Sequence, residues 1–316
     1  MNDIVNIDTD NYAAMAKAMG IANESSPTKE KKGSTLARFR ISHSPIMGTA
    51  EVNGKQKNVE VVEGGSYKLE IPDGPTYYAT SVKLRPYLQR YMYKRFVMGS
   101  GETKNRYIKT IMTEENFKID LKDNDGGFNC GKSDHWVKDW KALPKDIQDL
   151  YRSIKRVRVV LGTVELINPV DDKGSPVDVG VTPCIWEVEN REAYATIGGC
   201  FTQYSKMKRL FVQHHIELTT EARQIPNGNS YYVPATKLNM TETLRVEDEE
   251  QAIFADFMAW VDNYNSYIFN AWNENVRDKQ EVDIDVEDFI DVETLQYNDT
   301  SCRNGSPSIY GGRCGR

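Results

Sequence analysis

Between Val82 and Phe96 the chain reads VKLRPYLQRYMYKRF, and its cations and rings fall on alternate positions. At the two-residue period of a strand, Lys83, Arg85, Tyr87, Gln89, Tyr91, Tyr93 and Arg95 share one face. Val82, Leu84, Pro86, Leu88, Met92 and Phe96 share the other, interrupted by Arg90 and Lys94. The second set can enter a core. The first interleaves guanidinium and ammonium groups, which suit phosphates, with flat rings, which suit unstacked bases. An ordinary solvated sheet face can look the same, because tyrosine favours strands in any setting. Arg106, Tyr107 and Lys109 repeat the mixture a little further on.

Other chemistry is thin. Asp120, Asp123 and Asp125 in DLKDNDGG could hold a cation for a nuclease, but they lack the spacing and closing glutamate of a calcium loop. A turn built by Asn124, Asp125, Gly126 and Gly127 is the simpler reading. Cys130 and His135 have no second pair nearby, and a zinc site takes four ligands. Adjacent His214 and His215 would point to opposite faces of a strand, without a nucleophile at a telling distance. A phosphate loop, a dinucleotide fingerprint, an HExxH motif and a nucleophile elbow are all missing. The chain therefore reads as a non-enzyme with no metal and no cofactor.

The 316 residues carry a net charge of -6, which argues against a uniformly basic nucleic-acid binder. The charge is segregated, however. From position 83 to 109, Lys83, Arg85, Arg90, Lys94, Arg95, Lys104, Arg106 and Lys109 stand against Glu102 alone. From 281 to 299, Glu281, Asp283, Asp285, Glu287, Asp288, Asp291, Glu293 and Asp299 meet no lysine or arginine. Five dispersed cysteines without a CxxC pair suggest reduced thiols and an intracellular setting. Neither a signal peptide nor a membrane span is expected.

The elements that would position these residues are mostly strands. Residues 1–35 read as a short helix, about Asp8 to Met19, and a polar linker. Six or seven short strands with turns between them follow from 36 to 121, the signature of a small barrel or sandwich. A helix is expected from Lys145 to Arg156, then a second β region to about 240 with a hairpin around Pro226-Asn227-Gly228. The stretch from Tyr194 to Met207 is ambiguous. Glu247 to Val276 is a strong amphipathic helix: Ile253, Phe254, Phe257, Trp260, Val261, Tyr264 and Ile268 repeat at three and four. The expected division is an N-terminal helix and flexible linker at 1–35, a β-rich core at 36–279 and an acidic disordered tail at 280–316. The class is mainly β, α+β.

This order of β-rich middle, basic-aromatic strand and acidic tail with an embedded aromatic resembles the single-stranded DNA-binding proteins of tailed phages. The stretches STLARFRISHSPIMG and DLKDNDGGFNCG are also similar to conserved hypothetical proteins of T4-like marine phages. The resemblance is one of organisation rather than motif. It implies an OB-like or related small antiparallel barrel, elaborated with the second β region. Tyr87, Tyr91 and Tyr93 would then stack bases, Lys83, Arg85, Arg95, Arg106 and Lys109 would meet phosphates, and Tyr107 would belong to the same binding surface. Asp285, Glu287, Asp288, Phe289 and Asp291 would bind replication or recombination proteins and shield the cationic groove. The implied setting is the host cytoplasm. The zinc ligands of that family have no counterpart here, and the chain continues past the acidic segment to Arg316. The alternative is a phage structural or assembly protein that oligomerises through the 247–276 helix.

Overall fold

The computed structural model describes residues 36–297, apart from 53–54, 102–103, 115–116, 118, 134–136 and 226–227, with side chains described up to 276 except at 50–54. The expected helix and linker at 1–35 and the last residues of the tail lie outside the described residues.

The chain runs β1 (Ala37–Ile41), β2 (Ile46–Val52), β3 (Lys55–Val62), β4 (Tyr67–Glu70), β5 (Thr76–Ala79), β6 (Ser81–Val97) and β7 (Arg106–Lys109). Then come α1 (Lys145–Ser153), β8 (Ile154–Ile167), β9 (Thr182–Val188), α2 (Arg191–Lys206), β10 (Ile216–Gln224), β11 (Ser230–Leu238) and α3 (Asp248–Tyr297). Nine strands form one mixed sheet in the order β11-β10-β6-β8-β9-β1-β4-β5, with β7 also paired to β6. The parallel pair is β1 with β9. β2 and β3 form a separate hairpin. The β regions on either side of α1 thus share one sheet. The path has two ends, β11 and β5, and does not show the closure that an OB-type barrel requires.

The two halves meet at β6 and β8, whose ladder is the longest in the molecule. Their valines and aromatics suit a strand buried on both faces. On one face, Val82, Leu84, Val160, Val164, Trp186 and Ile216 pack with Ile197, Cys200, Phe201 and Tyr204 of α2. The residues between Tyr194 and Met207, ambiguous in sequence, form this helix because Asn190 caps it, its side chain accepting from the Glu192 and Ala193 amides. On the other face, Leu88, Met92, Val157, Val159 and Leu161 pack with Phe257 and Val261 of α3. α3 follows the expected stripe and continues past Val276 to Tyr297, so the first part of the acidic segment is helical rather than open coil.

β6 carries a bulge that rearranges everything expected of it. Pro86 pairs with Gly162 and Leu88 with Leu161, so Tyr87 is an extra residue. Proline has no amide to donate to the ladder, which makes this the natural place for the break. One inserted residue exchanges the faces of every side chain beyond it. Gly162 makes the bulge possible: a Cβ there would lie 2.5 Å from the Arg85 carbonyl oxygen. Gly162→Ala is accordingly expected to destabilise the fold by about 1–3 kcal/mol in urea unfolding. An unchanged midpoint would mean that the β6–β8 crossing relaxes freely.

Candidate nucleic-acid interface

The bulge splits the expected basic-aromatic face in two. Lys83 and Arg85 precede it and lie on the α3 side, whereas Tyr91, Tyr93 and Arg95 follow it and lie on the α2 side. Tyr87, the extra residue, packs edge-on against Phe257. Tyr87, Tyr91 and Tyr93 are 3%, 8% and 1% exposed, so none of them is a platform on which a base could stack. The rings and cations do interleave, but largely inside the protein. Arg85 lies 5.5 Å from the Tyr87 ring, and Arg158 lies 4.4 Å and 5.2 Å from those of Tyr194 and Tyr91. Lys122 covers both Phe269 and Trp272.

The expected cations are also matched by acids remote in sequence. Lys83 pairs with Glu165 and Arg106 with Asp125. Arg85 pairs with Glu250 at 2.8 Å and donates to the Val212 and Arg245 carbonyls, which ties β6 to the start of α3. Arg95 donates to the Cys130 carbonyl. Arg90, a cation within the expected core face, reaches Glu114. The charge segregation along the chain is therefore not a segregation in space.

Lys94 and Lys109 both hold Glu187, at 2.7 Å and 3.1 Å. Burial alone would push the Glu187 carboxyl up, but Lys109 and Lys94 together bring it below the ordinary carboxylate value. Burial would likewise lower the Lys94 ammonium, and Glu187 with Glu189 raises it instead. The depressed carboxyl contributes stability that is present above its unfolded value and lost as pH falls through the folded one. The raised ammonium contributes stability that is present below its unfolded value and lost as pH rises through the folded one. Glu187→Gln is therefore expected to flatten the acid limb of a plot of Tm against pH. An acid limb identical to the wild type would show that this triad does not contribute.

Within the stretch expected to bind, the hairpin of β6 and β7 stays open to solvent. Phe96 and Tyr107 are cross-strand partners with ring centroids 5.1 Å apart, 45% and 51% exposed. Lys94 sits 4.8 Å from the Tyr107 ring. Met98 is 77% exposed, and Lys104 and Arg106 are exposed beside it. Of the nine residues expected to bind nucleic acid, Tyr107 is the one in this ring pair; Arg106, one step along β7, alternates to the other face, stays exposed and pairs with Asp125. Phe96 was assigned to the core face. Its register one step from Arg95, across from Tyr107, is legible only once the bulge and the β6–β7 pairing are known.

The hairpin rests on the loop that sequence offered as a cation site. Asp123 is buried and accepts from the Asp125, Gly127 and Cys130 amides. Asp120 accepts from Asn129, and Asp125 pairs with Arg106. These carboxylates are occupied in building a turn, as the simpler reading holds. Asn124 then braces β7, accepting from the Lys109 amide and donating to the Tyr107 carbonyl. Cys130 is buried with its thiol pushed well up by desolvation, while His135 lies outside the described residues. His214 is buried, stacks on Tyr204 and is held at Nδ1 by the Glu242 carbonyl; His215 is half-buried. Both precede β10 rather than lying within it, because Phe211–Gln213 turns as a short 3-10 helix, so the strand alternation expected of them does not apply.

Among the described residues, no group of histidine, cysteine, aspartate and glutamate could hold a metal ion, and no helix is long and apolar enough to cross a membrane. The side chains of Asp285, Glu287, Asp288, Phe289 and Asp291 lie outside the described residues. No family model, no curated protein and no solved structure matches the chain.

Proposed function

We propose that the protein binds single-stranded DNA without catalysing a reaction, and that the β6–β7 hairpin is the element that takes the strand. The observation that carries this reading is the exposed Phe96–Tyr107 ring pair with Lys94 against it and Lys104 and Arg106 alongside. Exposed rings are costly to keep in water without a use, and a ring pair beside cations matches successive bases and their phosphates. The strand-binding chemistry of an OB-type protein would here be carried on an open mixed sheet. The acidic stretch around Asp285, Glu287, Asp288, Phe289 and Asp291 would serve replication or recombination partners in a phage-infected host cytoplasm.

Fluorescence anisotropy of a labelled oligothymidine tests the reading. Binding should weaken on the order of 10-fold between roughly 50 and 200 mM salt, a shallow dependence because most expected cations are already paired. A chain ending at Lys279 should bind more tightly if the acidic segment competes for the hairpin. Absence of binding at low salt would sink the proposal.

A second reading draws on α3, where Phe254 and Tyr267 are exposed. An assembly protein would use such rings between subunits. A large defined oligomer in light scattering, together with no affinity for oligothymidine, would favour it.

A further inference from the structure

A second cluster of cations and rings lies on the opposite face of the sheet from Phe96 and Tyr107. Arg156 and Arg158 alternate with Val157 and Val159 on β8, and their β6 partners are Tyr93 and Tyr91. The valines enter the core beneath α3, so both arginines point to the α2 side. Tyr194 of α2 completes the cluster. Arg158 is 6% exposed and forms no ion pair among the described residues. Its Nη1 donates to Gln89 Oε1 and to Tyr91 Oη. Its Nε is buried without any partner. The Tyr91 and Tyr194 rings attract the faces of the guanidinium but do nothing for the donors in its plane.

A buried guanidinium without a carboxylate is among the most expensive groups a core can hold. This one is given room: a Cβ at Gly198 would lie 2.4 Å from Arg158 Nη2. Among the described residues, the other buried side-chain atom without a well-aligned partner is Tyr93 Oη, on the residue directly across from Arg156. Arg156 acts on Tyr93 both as a charge and as a hydrogen-bond donor, and both arginines act on Tyr194 as charges, so the groups form one field. Asp120 also acts on Tyr93, but its Oδ1 is taken by Asn129. Arg156, two residues along the same face of β8, is exposed, with its guanidinium over Phe117. Two cations, an unused in-plane N–H and a phenol met by Arg156 alone remain, and they call for an oxyanion.

We propose that Arg156, Arg158 and Tyr93 form a binding site for a phosphomonoester, entered from the Arg156 side. A phosphate dianion balances two guanidinium charges, and its oxygens can accept from Arg158 Nε, from Tyr93 Oη and from the fork of Arg156. The group can come from free phosphate or from the end of a nucleotide or strand. The site stands independently of strand binding by the hairpin.

Isothermal titration of the full chain with inorganic phosphate, and separately with thymidine 5′-monophosphate, tests this. Saturable binding is expected, competed by sulfate and not by chloride. Arg156→Gln should weaken it about 10-fold or more, since charge-assisted hydrogen bonds are lost. Arg158→Met should abolish it. Should that buried variant fail to fold, the exposed Arg156→Gln still decides. Lys237→Gln, at a remote surface pair with Glu217, should leave the affinity unchanged. Tighter binding of the nucleotide than of phosphate assigns the site to a nucleotide or strand end; equal binding assigns it to free phosphate. No saturable heat with either ligand, or the same affinity in Arg156→Gln as in the wild type, would overturn the proposal. Oligothymidine binding should persist in Arg156→Gln, which separates failure of this site from failure of the hairpin.

Discussion

Asp123→Ala is expected to destabilise the protein by about 3–5 kcal/mol, the largest effect of any single polar substitution outside the sheet. The carboxylate is buried and satisfies three amides at 2.9–3.0 Å, those of Asp125, Gly127 and Cys130. Alanine leaves all three donors without this acceptor, the Cys130 amide in a buried setting and those of Asp125 and Gly127 half-buried. The damage would spread, because the same loop is clamped from two sides. Trp272 of α3 donates to the Gly127 carbonyl, and Asn275 donates to that of Asn124. Asn124 in turn holds the backbone of β7 at Lys109 and Tyr107. Urea unfolding should show a clear drop in midpoint. Asp123→Asn, which retains one acceptor oxygen, should lose less. Equal stability of the alanine variant and the wild type would mean that the loop is not a structural brace, and the cation reading of these acids would return.

The double substitution Phe96→Ala with Tyr107→Ala is expected to weaken oligothymidine binding by about 10- to 100-fold or more while leaving the melting temperature nearly unchanged. Base–ring stacking is worth roughly 1–3 kcal/mol per base, and two rings are removed. Both side chains are about half exposed, so little core packing is lost with them. Tyr91→Phe, inside the protein, should leave strand binding intact, because that ring is not accessible to a base. A double variant that binds as the wild type does would remove the hairpin from the account.

The coarse plan of the molecule was legible, and the reasons are specific. The stripe from Ile253 to Ile268 is long and keeps helical spacing, so α3 and its buried Phe257 and Val261 follow from periodicity alone. The turn at Asn124–Gly127 follows from its residue types. The site was less legible because a period of two is a local rule. It holds from Val82 to Pro86 and again beyond Leu88, but the extra residue between them reverses its sense. Three tyrosines assigned to solvent entered the core, and Phe96 left it. The pairing of Lys83 with Glu165, Arg85 with Glu250 and Lys109 with Glu187 joins residues far apart in the chain, so a charge count within a window missed their partners. Pro86 was the available signal for the bulge, since a proline inside a long central strand has no place in an unbroken ladder. The arginines of KRVRVV were a similar signal: cations set among core valines mark a buried charge that needs an explanation.

Photocrosslinking of a 5-iodouracil oligonucleotide to the full chain, followed by identification of the linked peptide, tests the central claim most directly. The account predicts crosslinks at Phe96 and Tyr107, reduced by high salt and lost in the double alanine variant. Crosslinks elsewhere, or none while the protein is folded and at low salt, would contradict it.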